Sequence, residues 1–418
     1  MRFGAVVAIL LSLCLTGVRT HAQQKSASAK LSLHDRVWIA TQIYASVNSN
    51  FAHWRAVRSL DFDKEFQAYL DQITATDDRR SFDMYTLELI AKLMNGHTRF
   101  SDRWLTDNYG EALGFGLRPL GTSWAVGRSK NDELHAGDVI NAIDGKSFED
   151  FFQSVRKYIA TSSERQARFA LEYCPYLFPE SFTLTLSNGH AVHITRQGAS
   201  AEKESELKSQ EKEGAFYVQI PSFGDSSIES LAVDAIERHS ESKAIILDVR
   251  GNGGGSTPQR LIAKLMKTPY HIWRESTPET IGFFRSVGAQ DGEFSWSQTL
   301  MPSGDPYMGE IFILVDGGCA SACEDFVAPF RETHRAVIIG EATWGSTGQT
   351  IVTDFHNGMS LSVSTKRESF PDGSQFEGIG IMPDIEVRPT SDDLRAGRDP
   401  VLDKAMALVG RSEGGQKK

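Results

Sequence analysis

The sequence predicts an α/β protein, and three observations carry that prediction. From residue 215 onward, short runs of Ile, Val and Leu alternate with amphipathic helical stretches, the pattern of a buried, mostly parallel sheet. Two of these runs, Ala244–Asp248 and Ile311–Val315, lead into glycine-rich loops that open helices. The composition, 40% hydrophobic and 23% charged over 418 residues, is that of an ordinary globular chain. It excludes collagen-like, disordered and low-complexity classes, and the length allows two or three domains, each with its own core.

The elements follow in order. Arg2 precedes an apolar run over residues 5–15 and a small-x-small site at Thr20-His21-Ala22, so residues 1–22 read as a secretory signal peptide. Leu13 before Cys14 fits a lipoprotein anchor poorly. The protein is therefore expected to be exported, periplasmic or extracellular, and no later run reaches the length of a membrane span. Residues 23–109 read as a helical domain. Val37, Ile39, Ala40 and Ile43 share one face, then Phe66, Tyr69 and Leu70, then Leu87, Ile90 and Leu93, with cap residues around Asp78. That stretch ends in the turn Asn95-Gly96-His97-Thr98.

Residues 110–197 change to short strands around one helix, with strands at 113–117, 124–126, 182–186 and 191–195 and a helix near 151–159. A glycine loop, a Gly-Asp strand and a helix in that order resemble a PDZ domain, which implies peptide binding at the 113–117 edge. Residues 198–214 are polar and read as a linker. The core domain is 215–418. Its strands are expected at 216–220, 244–248, 311–315 and 336–339. Its helices are expected at 226–239, 258–267 and 322–331, the first with Ile228, Leu231, Ala235 and Ile236 inward.

Ligands of a parallel sheet sit beyond the carboxyl ends of its strands, so the loops there come first. Arg250-Gly251-Asn252-Gly253-Gly254-Gly255-Ser256 exposes backbone N–H groups at a helix start. It lacks the spacing of a dinucleotide fingerprint and the Gly-Lys-Ser/Thr of a phosphate loop. A developing oxyanion and a plain structural turn both remain open for it. The second loop, Asp316-Gly317-Gly318-Cys319-Ala320-Ser321, places a serine at a strand-to-helix turn. That position suits a nucleophile and equally a helix N-cap.

Together the motifs Asp-Val-Arg-Gly-Asn-Gly-Gly-Gly at 248–255, Ala-Ser-Ala-x-Glu at 320–324, Gly-Glu-x-Thr-x-Gly at 340–345 and Glu-Gly-Ile-Gly-Ile-Met-Pro-Asp at 377–384 are similar to those of the C-terminal processing (tail-specific) serine peptidases and the tricorn core. The resemblance implies a crotonase/ClpP-like core with a helical cap and a PDZ-like insert, and a nucleophile at Ser321. Tail-specific peptidases carry a general-base lysine in a Gly-Lys-Gly turn, and Ser346 occupies that position here. The tricorn branch instead uses a histidine at the end of the cap and a late glutamate, positions matched by His97 and Glu377. Tricorn also has a serine just before that histidine, where this chain has Gly96.

The resemblance therefore implies a catalytic set of Ser321, His97 and Glu377, with oxyanion donors from Ala322 and from Gly253 or Gly254. An imidazole base predicts a rate that rises around pH ~6–7.5, and Ser346 is expected to be a bystander. Protein or peptide substrates are implied, and no cofactor or metal. Nucleic acid is disfavoured by the net charge of −10 without a basic cluster. The oligomeric state stays open between a monomer and a homo-oligomer. The rival is a non-catalytic peptide- or lipophile-binding protein on the same scaffold. Thiol catalysis is set aside because Ser321 holds the nucleophile's place. Cys319 and Cys323 are expected as two buried thiols, since in a regular helix they would stand ~6 Å apart with side chains poorly aimed for bonding.

Overall fold

The computed structural model describes residues 28–197, 206–279, 286–288 and 292–414. The expected signal peptide and most of the linker's first half lie outside these residues. Among them, no helix is long and apolar enough to cross a membrane.

A six-stranded sheet organises the second half of the chain. Lys208–Lys212, Ala215–Gln219, Ala244–Asp248, Glu310–Val315, Val337–Gly340 and Ile385–Glu386 lie side by side in chain order. All neighbouring pairs are parallel except the first. Ala244–Asp248 is buried throughout, as its unbroken apolar run requires. Helices Ser226–Arg238, Gln259–Leu265 and Ala322–Thr333 cover one face through Ile228, Leu261, Phe326 and Phe330. The C-terminal helix Pro400–Gly414 packs Val401, Ala405 and Val409 on the other. The expected strands at 216–220, 244–248, 311–315 and 336–339 and the three expected helices are present, whereas Lys208–Lys212, read as linker, is a strand paired antiparallel to Ala215–Gln219. Leu231 is a correction: it is half-exposed, and the inward stripe runs Ile228, Ala232, Ala235, Ile236. Ala232 and Val233 are the buried neighbours on that turn, which leaves Leu231 on the solvent side.

Three N-terminal helices, Leu33–Asn50, Phe62–Thr74 and Arg79–Ala91, are capped by Ser32, Asp61 and Asp78, whose side chains each accept a first-turn amide. Val37, expected on the inner face of the first, turns toward solvent, while Ile39, Ala40, Ile43 and Val47 are buried. Residues 350–364, which fall inside the expected core segment, pair elsewhere. Strand Met359–Ser364 runs antiparallel to Arg99–Asp102 and to Thr350–Asp354. Its Met359, Leu361 and Val363 complete the helical region's core.

Residues 115–195 form a five-stranded antiparallel path, with Phe115–Leu120 at one edge. The Leu117 amide of that edge donates to Glu172 Oε2 (3.0 Å), so the chain itself occupies part of the edge. Helix Glu164–Ala170, unforeseen in the sequence, leads into this contact and faces the core loops.

Candidate active site

Ser321 sits immediately before helix Ala322–Thr333, in the positive-φ conformation φ 56°, ψ −123°. A non-glycine residue holds such a backbone only when its surroundings impose it. Here they do. The Ser321 amide lies 3.2 Å from the carbonyl of Ser346 and 3.3 Å from Glu324 Oε2, and Ala320 N donates to Asn252 O (3.0 Å). A disulfide joins Cys319 and Cys323 across the turn, with Cα atoms 5.4 Å apart. This corrects the expectation of two thiols. The helix begins only at Ala322, so Cys319 belongs to the preceding turn, and the regular-helix geometry does not apply to it.

The triple-glycine loop lies against this turn. A Cβ on Gly254 would stand 2.8 Å from the Ser321 Cβ and 2.9 Å from Ala322 N, so only glycine permits the approach. Gly254 N is already committed to Asn252 Oδ1 at 2.9 Å. Among the described residues, Gly253 N and Ala322 N have no partner. Of the three expected oxyanion donors, these two are free to receive charge.

His97 comes from the turn between helix Arg79–Ala91 and strand Arg99–Asp102. Asn95 Oδ1 accepts from His97 N (3.1 Å) and Thr98 Oγ1 (3.0 Å), and Gly96 N donates to Ser162 Oγ (3.2 Å). The strand that follows is pinned by Met359–Ser364. This places His97 Nε2 3.1 Å from Ser321 Oγ and Nδ1 3.0 Å from Ser346 Oγ. Glu377 does not touch the imidazole. Ser346 Oγ donates to Glu377 Oε1 (2.9 Å), and so do Asn95 Nδ2 (3.0 Å) and the Ser162 hydroxyl. The side chains thus form one chain of bonds, Ser321 to His97 to Ser346 to Glu377.

Backbone packing explains why Glu377 and Ser346 meet. Gly378 N donates to Gly345 O (2.7 Å), and a Cβ on Gly345 would lie 2.6 Å from Gly380 N. Gln166 of the unforeseen helix holds the Trp344 and Gly345 carbonyls at 2.6 and 3.0 Å. Glu324, buried, accepts from Thr343 Oγ1 (2.5 Å), Gly345 N (2.6 Å) and Ser346 N (3.1 Å). It thereby ties the nucleophile turn to the Ser346 turn.

Sequence reasoning missed Ser346, Asn95, Ser162 and Glu324 as parts of this cluster. Glu324 was visible in its motif without a role. Ser346 was visible only as the residue in the lysine's place. Nothing in the sequence marked Ser162.

Burial sets the protonation of the site. It pulls the His97 imidazole down to about 3, helped by the nearby Arg99 charge, so the ring is neutral at neutral pH. A titrating imidazole near its ordinary value, as the sequence suggested, does not fit this environment. Burial raises Glu377 to about 7 and Glu324 to about 8 against the hydrogen bonds they accept. A carboxyl whose folded value lies above its unfolded one stabilises the fold fully below the unfolded value, near ~4.5, and that stability is lost as pH rises through the folded value. The melting temperature is therefore expected to fall by several degrees between about pH 5 and about pH 8, the interval between the unfolded and folded values, and to level off above it. A flat profile by calorimetry contradicts these shifts. Among the described residues, no group of three or more His, Cys, Asp or Glu is arranged to hold a metal ion.

Residues 215–387 match Peptidase family S41. Over 175 residues, 41% of this chain, it is 26% identical to the chloroplastic C-terminal processing peptidase of Tetradesmus obliquus. Over 195 residues, 46% of this chain, it is 28% identical to putative tricorn protease homolog 2 of Streptomyces coelicolor (strain ATCC BAA-471 / A3(2) / M145). These matches span only 35% and 15% of the two relatives' own lengths. Among solved structures, mature CPAF superposes with a TM-score of 0.73 at 14% identity, covering 92% of this chain and 98% of that one. The photosystem II D1 C-terminal processing protease gives 0.53 at 17% identity, covering 88% and 97%. At these identities, the structural likeness speaks to the fold alone.

Proposed function

We propose that this protein is an exported serine peptidase that cleaves protein or peptide substrates through an acyl-enzyme on Ser321, a reading supported by the match of residues 215–387 to Peptidase family S41. The observation that carries the reading is the 3.1 Å contact between Ser321 Oγ and His97 Nε2, made at a strained strand-to-helix turn beside two unpartnered amides. An unreactive binding protein has no need of that conformation.

In this reading, His97 Nε2 accepts the Ser321 proton as Oγ attacks the carbonyl, and the oxyanion forms against Gly253 N and Ala322 N. His97 Nδ1–H donates to Ser346 Oγ, whose own hydroxyl donates to Glu377. The negative charge on Glu377 then stabilises the imidazolium through one neutral hydroxyl. The crotonase-like and PDZ-like descriptions of the core and the insert belong to this proposal. So does export, which the apolar N-terminal run supports.

A fluorophosphonate probe tests the reading directly, since it reacts with an activated serine and ignores a mere pocket. Ser321 is expected to be labelled, and labelling is expected to rise as pH passes through about 7, where Glu377 loses its proton. Glu377→Gln should flatten that limb at a lower rate. Absence of labelling on Ser321 at any pH overturns the proposal in favour of the binding protein.

A further inference from the structure

Beside Ser321 lies a cavity of about 460 Å³ built by three parts of the chain. It runs from Gly253 and Ala320, next to the nucleophile, to Phe100 and Leu105 of the helical region and to Tyr158 and Tyr176. Its walls are mostly apolar, yet they include Arg99, two residues after His97. The Arg99 Nε donates to the Gly96 carbonyl, which anchors the root of the guanidinium. Its two Nη groups make no hydrogen bond and no ion pair among the described residues. The titratable groups that act on it are Cys174 and Tyr176, not a carboxylate.

The other charges at the cavity are accounted for. Asp102, also on the wall, is held by Arg79 through two bonds of 2.6 and 2.8 Å. Burial and the Asp102 charge push the Asp83 carboxyl far up, so that it keeps its proton. Burial likewise raises Cys174 and Tyr176, which stay neutral. The cavity therefore holds one uncompensated positive charge. Arg99 is exposed while lining this cavity, so both Nη groups are open to a planar anion with two acceptors, which a guanidinium receives through paired N–H bonds.

We infer that this cavity is a substrate subsite for a carboxylate, which Arg99 receives. The inference rests on the reading of Ser321 as nucleophile only in placing the subsite next to the cleaved bond. The carboxylate has two sources, an Asp or Glu side chain beside the scissile bond or the free carboxyl terminus of the substrate. Apolar walls without Arg99 would select Leu or Phe instead.

Binding is measured on the full chain carrying Ser321→Ala, so that the result does not depend on turnover. The probes are synthetic octapeptides that differ only in Glu, Gln or Leu at one central position, each with a free or an amidated carboxyl terminus. The Glu peptide, or the free-terminus peptide, is expected to bind at least about 10-fold more tightly than its neutral counterpart. Which pair shows the difference identifies the source. Adding Arg99→Gln should erase the difference, Arg99→Lys should retain part of it, and Arg99→Glu should reverse it in favour of the neutral peptide. Equal binding of charged and neutral peptides, or a preference that survives Arg99→Gln, overturns the subsite. Fluorophosphonate labelling of the unmodified Ser321 reports separately on the nucleophile, so a failure of one reading is not mistaken for a failure of the other.

Discussion

Ser321→Ala and His97→Ala are each expected to abolish hydrolysis of an unfolded protein substrate, with losses of at least ~10³-fold in kcat. The serine supplies the atom that forms the covalent bond. The imidazole, 3.1 Å away, is the base within reach of its proton. Among the described residues no lysine is bonded to Ser321, and the position where the tail-specific peptidases it resembles carry a lysine is Ser346, whose hydroxyl is bonded to His97 and Glu377. The double variant should be no worse than either single one, because the two residues act as a unit. Turnover of casein by each variant, followed by peptide release, decides it. Near wild-type turnover in His97→Ala alongside a dead Ser321→Ala means that another base serves the nucleophile.

Ser346→Ala carries the second large effect, and here the structure reverses the expectation drawn from sequence. Removing the Ser346 hydroxyl leaves the buried Nδ1–H of His97 without its acceptor and cuts Glu377 off from the imidazole. A loss of about 10²-fold in kcat with little change in KM is expected, more than for a surface serine and less than for the base itself. The geometry also supplies a rescue. A Cβ on Gly96 would lie 3.2 Å from Ser346 Oγ and 3.1 Å from Trp344 Nε1. A serine at 96 and the serine at 346 therefore compete for the same space between His97 and Glu377. Gly96→Ser alone should be harmful, whereas Gly96→Ser combined with Ser346→Gly should recover at least about tenfold over Ser346→Gly. If Ser346→Ala keeps wild-type kcat, the relay has no catalytic weight and the imidazole is oriented by packing alone.

This chain delivers the hydroxyl between His97 and Glu377 from the turn after Gly345.

Local signals were sufficient for much of the molecule. The apolar runs at 244–248 and 311–315, the capping residue Asp78, and the glycine loops opening into helices express backbone preference and periodicity, which act over a few residues. The positions Ser321, His97 and Glu377 stood out through motifs of four to eight residues. What tertiary contact alone decided spans hundreds of residues. Strand Arg99–Asp102 pairs with Met359–Ser364, helix Glu164–Ala170 clamps the Trp344 turn, and Asn95, Ser162 and Ser346 converge on one oxygen of Glu377. No local propensity encodes those meetings. They follow from burying the apolar faces of three regions together, and once that burial is complete each enclosed polar atom must find its partner among whatever side chains the packing has brought within reach.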